Sequence, residues 1–141
     1  MRPNGTQAKA AESPQGIKRV TSISRWLSRK KQPLAQTSPK VSVVLPVYNA
    51  EATLAECLTR LYQSTFTEFE TIMVDDGSTD SSRAIASNFP VRIVPSAGRV
   101  GPAAARNLGA RVATGEILFF IDSDVMVRPA SLARLAEGRG L

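Results

Sequence analysis

From Val41 onward, short β-branched runs alternate with segments of helical period, and this alternation restricts the chain to a parallel sheet crossed by helices. Four runs read as strands, over residues 41–45, 70–74, 91–94 and 116–121. Pro46 is expected to close the first. Asn49 is then expected to cap a helix whose Leu54, Leu58 and Leu61 share a face, because steps of four and three return to the same side. A short helix is expected over 80–88. Pro102 suits the first turn of another, which carries Ala104, Leu108 and Val112 inward and ends near Thr114-Gly115, and Pro129 opens a last one that reaches Gly138. No internal repeat is visible. The expected class is α/β, a mainly parallel sheet of about four strands with crossover helices.

Charge divides the chain into two parts. Residues 1–40 hold nine Lys or Arg against the single acid Glu12, whereas residues 41–141 hold nine basic and eleven acidic residues, so a net +8 and a net −2 make up the overall +6. Residues 1–39 form a basic tail whose Pro3, Pro14, Pro33 and Pro39 limit any helix, and disorder is expected there. Residues 40–141 form the globular domain, mildly acidic and without the basic face that nucleic acid requires. Within the tail, Ile17, Val20, Ile23, Trp26 and Leu27 recur among Lys18, Arg19, Arg25 and Arg29, a pattern that suits peripheral contact with an anionic membrane. The plainer reading is a solvated linker. Nucleic-acid binding through the tail has little aromatic interleaving to support it.

Missing residue types exclude whole chemistries. Cys57 stands alone, which rules out an internal disulfide and a multi-thiolate metal site and fits a reducing compartment. With no histidine, Ser-His-Asp and Cys-His nucleophilic schemes are excluded, and carboxylates are left as metal ligands and acid–base groups. No apolar run approaches the roughly 20 residues of a membrane span, and no secretory signal opens the chain, so a cytoplasmic protein is expected, with the inner face of the membrane open through the tail.

Ligands of open parallel sheets bind beyond the carboxyl ends of the strands. Here those ends carry Pro46-Val47-Tyr48-Asn49, Asp75-Asp76-Gly77-Ser78 and Asp122-Ser123-Asp124, so four carboxylates are expected on one rim. Such a cluster repels itself unless a divalent cation, or a network of arginine and backbone donors, relieves it. Asp122 and Asp124, two apart in an extended segment, point to one side, where one meets a cation and the other reaches it through water or holds a ribose hydroxyl. The plainer reading is that the two acids end a strand and cap a helix. For Asp75-Asp76-Gly77-Ser78, a tight turn and a helix cap account for Gly77 and Ser78, yet a turn needs only one acid. Arg106 sits on a helix otherwise rich in Ala and Leu and is expected to be partly buried and paired with an acid of the site. Arg99 is a candidate diphosphate contact or an ordinary solvated residue. Cys57 and Tyr62 are expected to pack in the first helix. An NAD-type domain is disfavoured, because Pro46-Val47-Tyr48-Asn49 stands where a glycine-rich loop belongs.

VVLPVYN at 43–49, VDDGSTD at 74–80, GPAAARNLG at 101–109 and IDSD at 121–124 together resemble the donor-binding half of family 2 glycosyltransferases, over roughly residues 40–137. The resemblance implies a GT-A fold, a Rossmann-like α/β sandwich, and inverting transfer of a sugar from a nucleoside diphosphate, with a UDP-sugar the first choice, to a hydroxyl of an acceptor glycan or lipid-linked sugar. It implies Mg2+ or Mn2+ at a DXD motif, with Asp122 and Asp124 holding metal, ribose and diphosphate. Pro46, Tyr48 and Glu51 would line the nucleotide pocket, and Asp75 and Asp76 would hold base and ribose. The family's second half, which supplies the acceptor site and the general base, has no counterpart here, since only Glu137 follows Asp124 among the acids. Truncation of a longer enzyme is therefore expected. The alternative is a non-catalytic nucleotide-binding or interaction module.

Overall fold

The four expected strands lie side by side in a computed structural model that describes residues 38–138. They are β1 (Val41–Val47), β2 (Phe69–Asp75), β3 (Arg92–Pro95) and β4 (Ile117–Phe120), all parallel in the order β3-β2-β1-β4. Central β1 is buried along its whole length except at Pro46. A strand covered on both faces has little polar side to present, and that is why it is apolar apart from Ser42, whose hydroxyl donates to Glu70 Oε1 at 2.6 Å. The tail over residues 1–37, with its amphipathic segment, lies outside the described residues.

Four helices cover the sheet: α1 (Leu54–Leu61), α2 (Ser82–Ala86), α3 (Pro102–Val112) and α4 (Ser131–Ala136). On one face Val41, Val43 and Leu45 pack with Leu54, Leu58 and Leu61 of α1, Phe69 and Met73 of β2, and Leu132 of α4. On the other face α3 lies on Ile72, Val74 and Val44, and Gly109 permits the approach: a Cβ there would stand 2.4 Å from Val44 Cγ1. Cys57 and Tyr62 are buried in or beside α1, as expected. Tyr62 is stacked on Phe89, and its hydroxyl donates to the Pro90 carbonyl at 2.9 Å, so its polar end is satisfied.

Three local expectations are corrected. Pro46 does not close β1 but lies within it, in register with Val74. The Val47 carbonyl bonds to β2's side and the Val44 carbonyl to β4's side, so Pro46, in phase with Val44, turns its missing N–H toward β4, which has already ended at Phe120. Asn49 does not cap α1, which begins five residues later at Leu54; it adopts a left-handed conformation (φ 47°) and bonds elsewhere. In α3 the inward residues are Ala105 and Gly109, with Leu108 and Val112 flanking, and Ala104 faces solvent.

Candidate functional site

Beyond the carboxyl ends of β1 and β4 lies an open cleft of about 540 Å³, lined by Pro46, Tyr48, Asn49, Ala50 and Thr53 on one side and by Asp122, Ser123 and Asp124 on the other, with Arg106 entering from α3. The position follows from topology. Parallel strands send all their carboxyl ends to one rim, and a helix that starts there returns side chains to it. Arg106 donates to Asp122 Oδ1 at 2.8 Å, which is the partnership expected of a half-buried arginine in an Ala-rich helix. Asp124 is exposed and takes part in no ion pair among the described residues.

The acidic turn is held from beneath. Val125 N–H donates to the Asp122 carbonyl at 3.0 Å, and the Cys57 thiol makes a longer contact to the same oxygen at 3.8 Å. Burial, aided by the negative charge of Asp124, pushes the Cys57 thiol up to about 11, so it stays protonated and able to donate.

Asp75 and Asp76 sit one strand further along the rim, and both are nearly inaccessible, at 3% and 4% exposure. Each is surrounded by donors. Asp75 Oδ1 accepts from Ser78 N–H at 3.0 Å, and Oδ2 accepts from Arg83 Nη2 at 2.9 Å and Nε at 3.1 Å. Asp76 Oδ1 accepts from the Ser96 hydroxyl at 2.7 Å and Val100 N–H at 2.9 Å, and Oδ2 accepts from Gly101 N–H at 2.9 Å. Burial pushes the Asp75 carboxyl up, but the Ser78 hydroxyl and amide and the Arg83 guanidinium outweigh it and hold the group below the usual carboxylate range. For Asp76 burial again opposes ionisation, and Val100 N–H, the Ser96 hydroxyl, Gly101 N–H and the charge of Arg99 overcome it. The four carboxylates therefore share a rim without forming one cluster, and no group of three or more possible metal ligands gathers among the described residues.

The donor set of the cleft fits a hard divalent cation all the same. Asp124 and the second oxygen of Asp122 are uncommitted oxygens, and magnesium-type ions are held by one or two carboxylates with the remaining positions filled by substrate phosphates and water.

Four residues singled out in the sequence lie outside the cleft lining: Glu51, Asp75, Asp76 and Arg99. The Glu51 carboxylate accepts Ser81 N–H at 2.9 Å. Arg99 places its guanidinium 3.6 Å from the centre of the Tyr48 ring, a cation–π contact that borders the cleft, and its stem runs past Gly77, whose φ of +90° favours glycine. Sequence reasoning missed Arg83 and Ser96. Each lies on a different element from the acid it serves, and spacing carries no signal for such pairs. Among the described residues no helix is long and apolar enough to cross a membrane.

Residues 42–138 match the family described as Glycosyl transferase family 2. Glycosyltransferase GlyG of Streptococcus pneumoniae is 40% identical over 105 residues, which cover 71% of this chain and 35% of that protein. The structure of S. aureus TarS in complex with UDP-GlcNAc is similar at a TM-score of 0.66 and 33% identity, covering 70% of this chain and 30% of that one. Mannosyltransferase PcManGT from Pyrobaculum calidifontis, in complex with GDP-Man and Mn2+, gives a TM-score of 0.63 at 27% identity, over 83% of this chain and 37% of that one. The chain thus spans about a third of the length of these relatives.

Proposed function

The chain belongs to glycosyl transferase family 2, and from that premise we propose that its cleft is the donor site of an inverting transfer from a nucleoside-diphosphate sugar. The observation that carries the reading is the pairing of a committed and an uncommitted acid at one turn. Arg106 fixes Asp122, while Asp124, two residues on, is exposed beside the same cleft as Tyr48. Two carboxylates facing a diphosphate repel it, and a divalent cation bridging them reverses the sign of that interaction. Bound there by Asp122 and Asp124, Mg2+ or Mn2+ would supply Lewis-acid stabilisation of the departing diphosphate. This chain's residues then divide the remaining work. Pro46 and Tyr48 wall the nucleoside side, Arg106 holds Asp122 in place, and Arg99 borders the base through Tyr48. Asp75 and Asp76 serve base and ribose indirectly, Asp75 by holding Ser78 and Arg83 at the strand end and Asp76 by ordering the loop that carries Arg99.

In the transfer, the bond from the anomeric carbon to the diphosphate oxygen breaks as an acceptor hydroxyl oxygen bonds to that carbon, and the hydroxyl proton passes to a general base. No residue of this chain is assigned to that base. The donors named with the solved relatives, UDP-GlcNAc and GDP-Man, favour UDP or GDP as the nucleotide, and the acceptor is a hydroxyl of a glycan or lipid-linked sugar. The basic tail over residues 1–39 favours a cytoplasmic protein at the inner face of a membrane.

A thermal-shift screen of UDP, GDP and dTDP with and without Mn2+ tests the reading. One nucleotide is expected to stabilise the protein only with the cation, and equal binding in chelator would refute the metal-dependent site. A second reading, a non-catalytic nucleotide-binding or interaction module, is favoured by the cleft lining, whose acids among the described residues are Asp122 and Asp124, both assigned to the cation. It predicts cation-dependent binding without sugar release from the donor.

A further inference from the structure

We propose that Glu51 and Asn49 serve this donor site as positioning residues, by locking the segment after β1 to the segment after β2. The proposal rests on the donor-site reading and adds to it how the nucleoside wall is held. Three consecutive amides leave the first segment: Asn49 N–H donates to Ser78 Oγ at 2.9 Å, Ala50 N–H to Ser82 Oγ at 2.8 Å, and Glu51 N–H to Asp80 Oδ2 at 3.0 Å. Bonds also run the other way. Thr79 and Asp80 N–H donate to Asn49 Oδ1 at 2.8 and 3.3 Å, and Ser81 N–H donates to Glu51 Oε1.

These partners are 29 to 32 residues apart, so the lock is tertiary and replaces the helix start that the sequence suggests. It adjoins the cleft wall, to which Asn49 itself belongs. Tyr48 precedes it, and Ala50, Ala52 and Thr53 continue the wall from within and beyond it. It also reaches Asp75, because Ser78, which receives Asn49 N–H, donates its own N–H to Asp75 Oδ1. Glu51 itself is not part of the wall, and its carboxylate works as an acceptor for one backbone amide. An acceptor oxygen is needed there, and a charge is not: the bond is to a backbone amide, and Glu51 takes part in no ion pair among the described residues.

The discriminating pair is Glu51→Gln, which keeps an acceptor oxygen and removes the charge, and Glu51→Ala, which removes both. UDP with Mn2+ and inorganic pyrophosphate with Mn2+ are titrated calorimetrically into the full chain, and amide hydrogen exchange is followed at Ser81. Glu51→Ala is expected to weaken UDP binding about tenfold, the scale of one lost hydrogen bond, and to leave pyrophosphate binding unchanged. Exchange at Ser81 should quicken. Glu51→Gln is expected to restore both UDP affinity and slow exchange. Asn49→Gly, which tolerates the left-handed φ while deleting the Oδ1 acceptor, should repeat the alanine result. Equal weakening by Gln and Ala would overturn the proposal in favour of a direct charge contact, and so would UDP binding that is unaffected by Ala. Parallel loss of pyrophosphate binding would overturn it in favour of general destabilisation. If wild type bound no nucleotide, the donor-site reading would fall, whereas unchanged Ser81 exchange in Glu51→Ala would overturn the lock itself.

Discussion

The rim carries two acidic pairs of similar appearance, and the structure treats them in opposite ways. Asp75 and Asp76, at the end of β2, are buried, and every carboxylate oxygen has a donor from the protein. Asp122 and Asp124, after β4, are exposed, and a single arginine contacts the pair. A buried carboxylate persists only when donors repay its desolvation, so the first pair is committed to holding loops together. An exposed carboxylate with free oxygens has little to hold and much to offer a ligand. Adjacent acids in a sequence therefore mark a rim, and the count of satisfied oxygens distinguishes scaffold from binding surface.

Removing a committed acid should have the largest effect. Asp76→Ala strands the Val100 and Gly101 amides and the Ser96 hydroxyl around a part-buried site, and is expected to cost about 2 kcal/mol of stability. Urea denaturation measures it. Asp76→Asn, which keeps one acceptor oxygen, should cost less. A loss below about 0.5 kcal/mol for alanine, the range of ordinary surface changes, would dissolve the contrast between the pairs. Asp124→Asn is the mirror experiment. Stability should stay within about 0.5 kcal/mol of wild type, while Mn2+-dependent UDP affinity falls about tenfold or more, read by calorimetry.

Acid titration sharpens the comparison further. The folded carboxyls of Asp75 and Asp76 ionise below their unfolded range, so each contributes stability that is complete above an unfolded pKa of about 3.9 and is lost as pH falls through the lower, folded value. Stability should therefore be insensitive to these groups from neutrality down to about pH 5 and decline below about pH 4. In Asp76→Asn that acid-limb decline should be shallower. An unchanged slope, measured by urea midpoints across pH, would show that the donors around Asp76 do not favour its charged form.

The fold was legible because its signals are local. Apolar runs of four or five residues and a proline at the start of α3 each act within a few residues of where they are read. The rim was legible for the same reason, since strand ends are found with the strands. What sequence could not show is which donors meet which acid. Arg83 lies on α2 and Ser96 after β3, and their pairing with Asp75 and Asp76 exists only once the strands are side by side. Asn49 misled on the same ground: its preference for helix starts is local, but three amides and three acceptors of another loop compete for that stretch and win.

The two arginines provide the smallest and most selective test. Arg83 and Arg106 each donate to one aspartate of the rim, at 2.9 and 2.8 Å, and differ in what lies at the other end. Asp75 is buried, so Arg83→Ala withdraws one of the donors that offset its desolvation. Because the Arg83 side chain is itself 56% exposed, water screens and partly replaces it, and the expected cost is about 1 kcal/mol rather than the several of a buried pair. The Asp122 side chain is 57% exposed, so Arg106→Ala leaves a carboxylate that water can solvate at once, and stability should change by less than about 0.5 kcal/mol. The ligand readout should run the other way. Freed from Arg106, Asp122 swings among rotamers and presents its oxygens to the cation less often, which weakens Mn2+-dependent UDP binding several-fold, whereas Arg83→Ala touches the cation's side of the cleft not at all. Thermal unfolding and calorimetry on the two variants give a two-by-two outcome, and a stability loss in Arg106→Ala equal to that of Arg83→Ala would show that both acidic pairs belong to the scaffold.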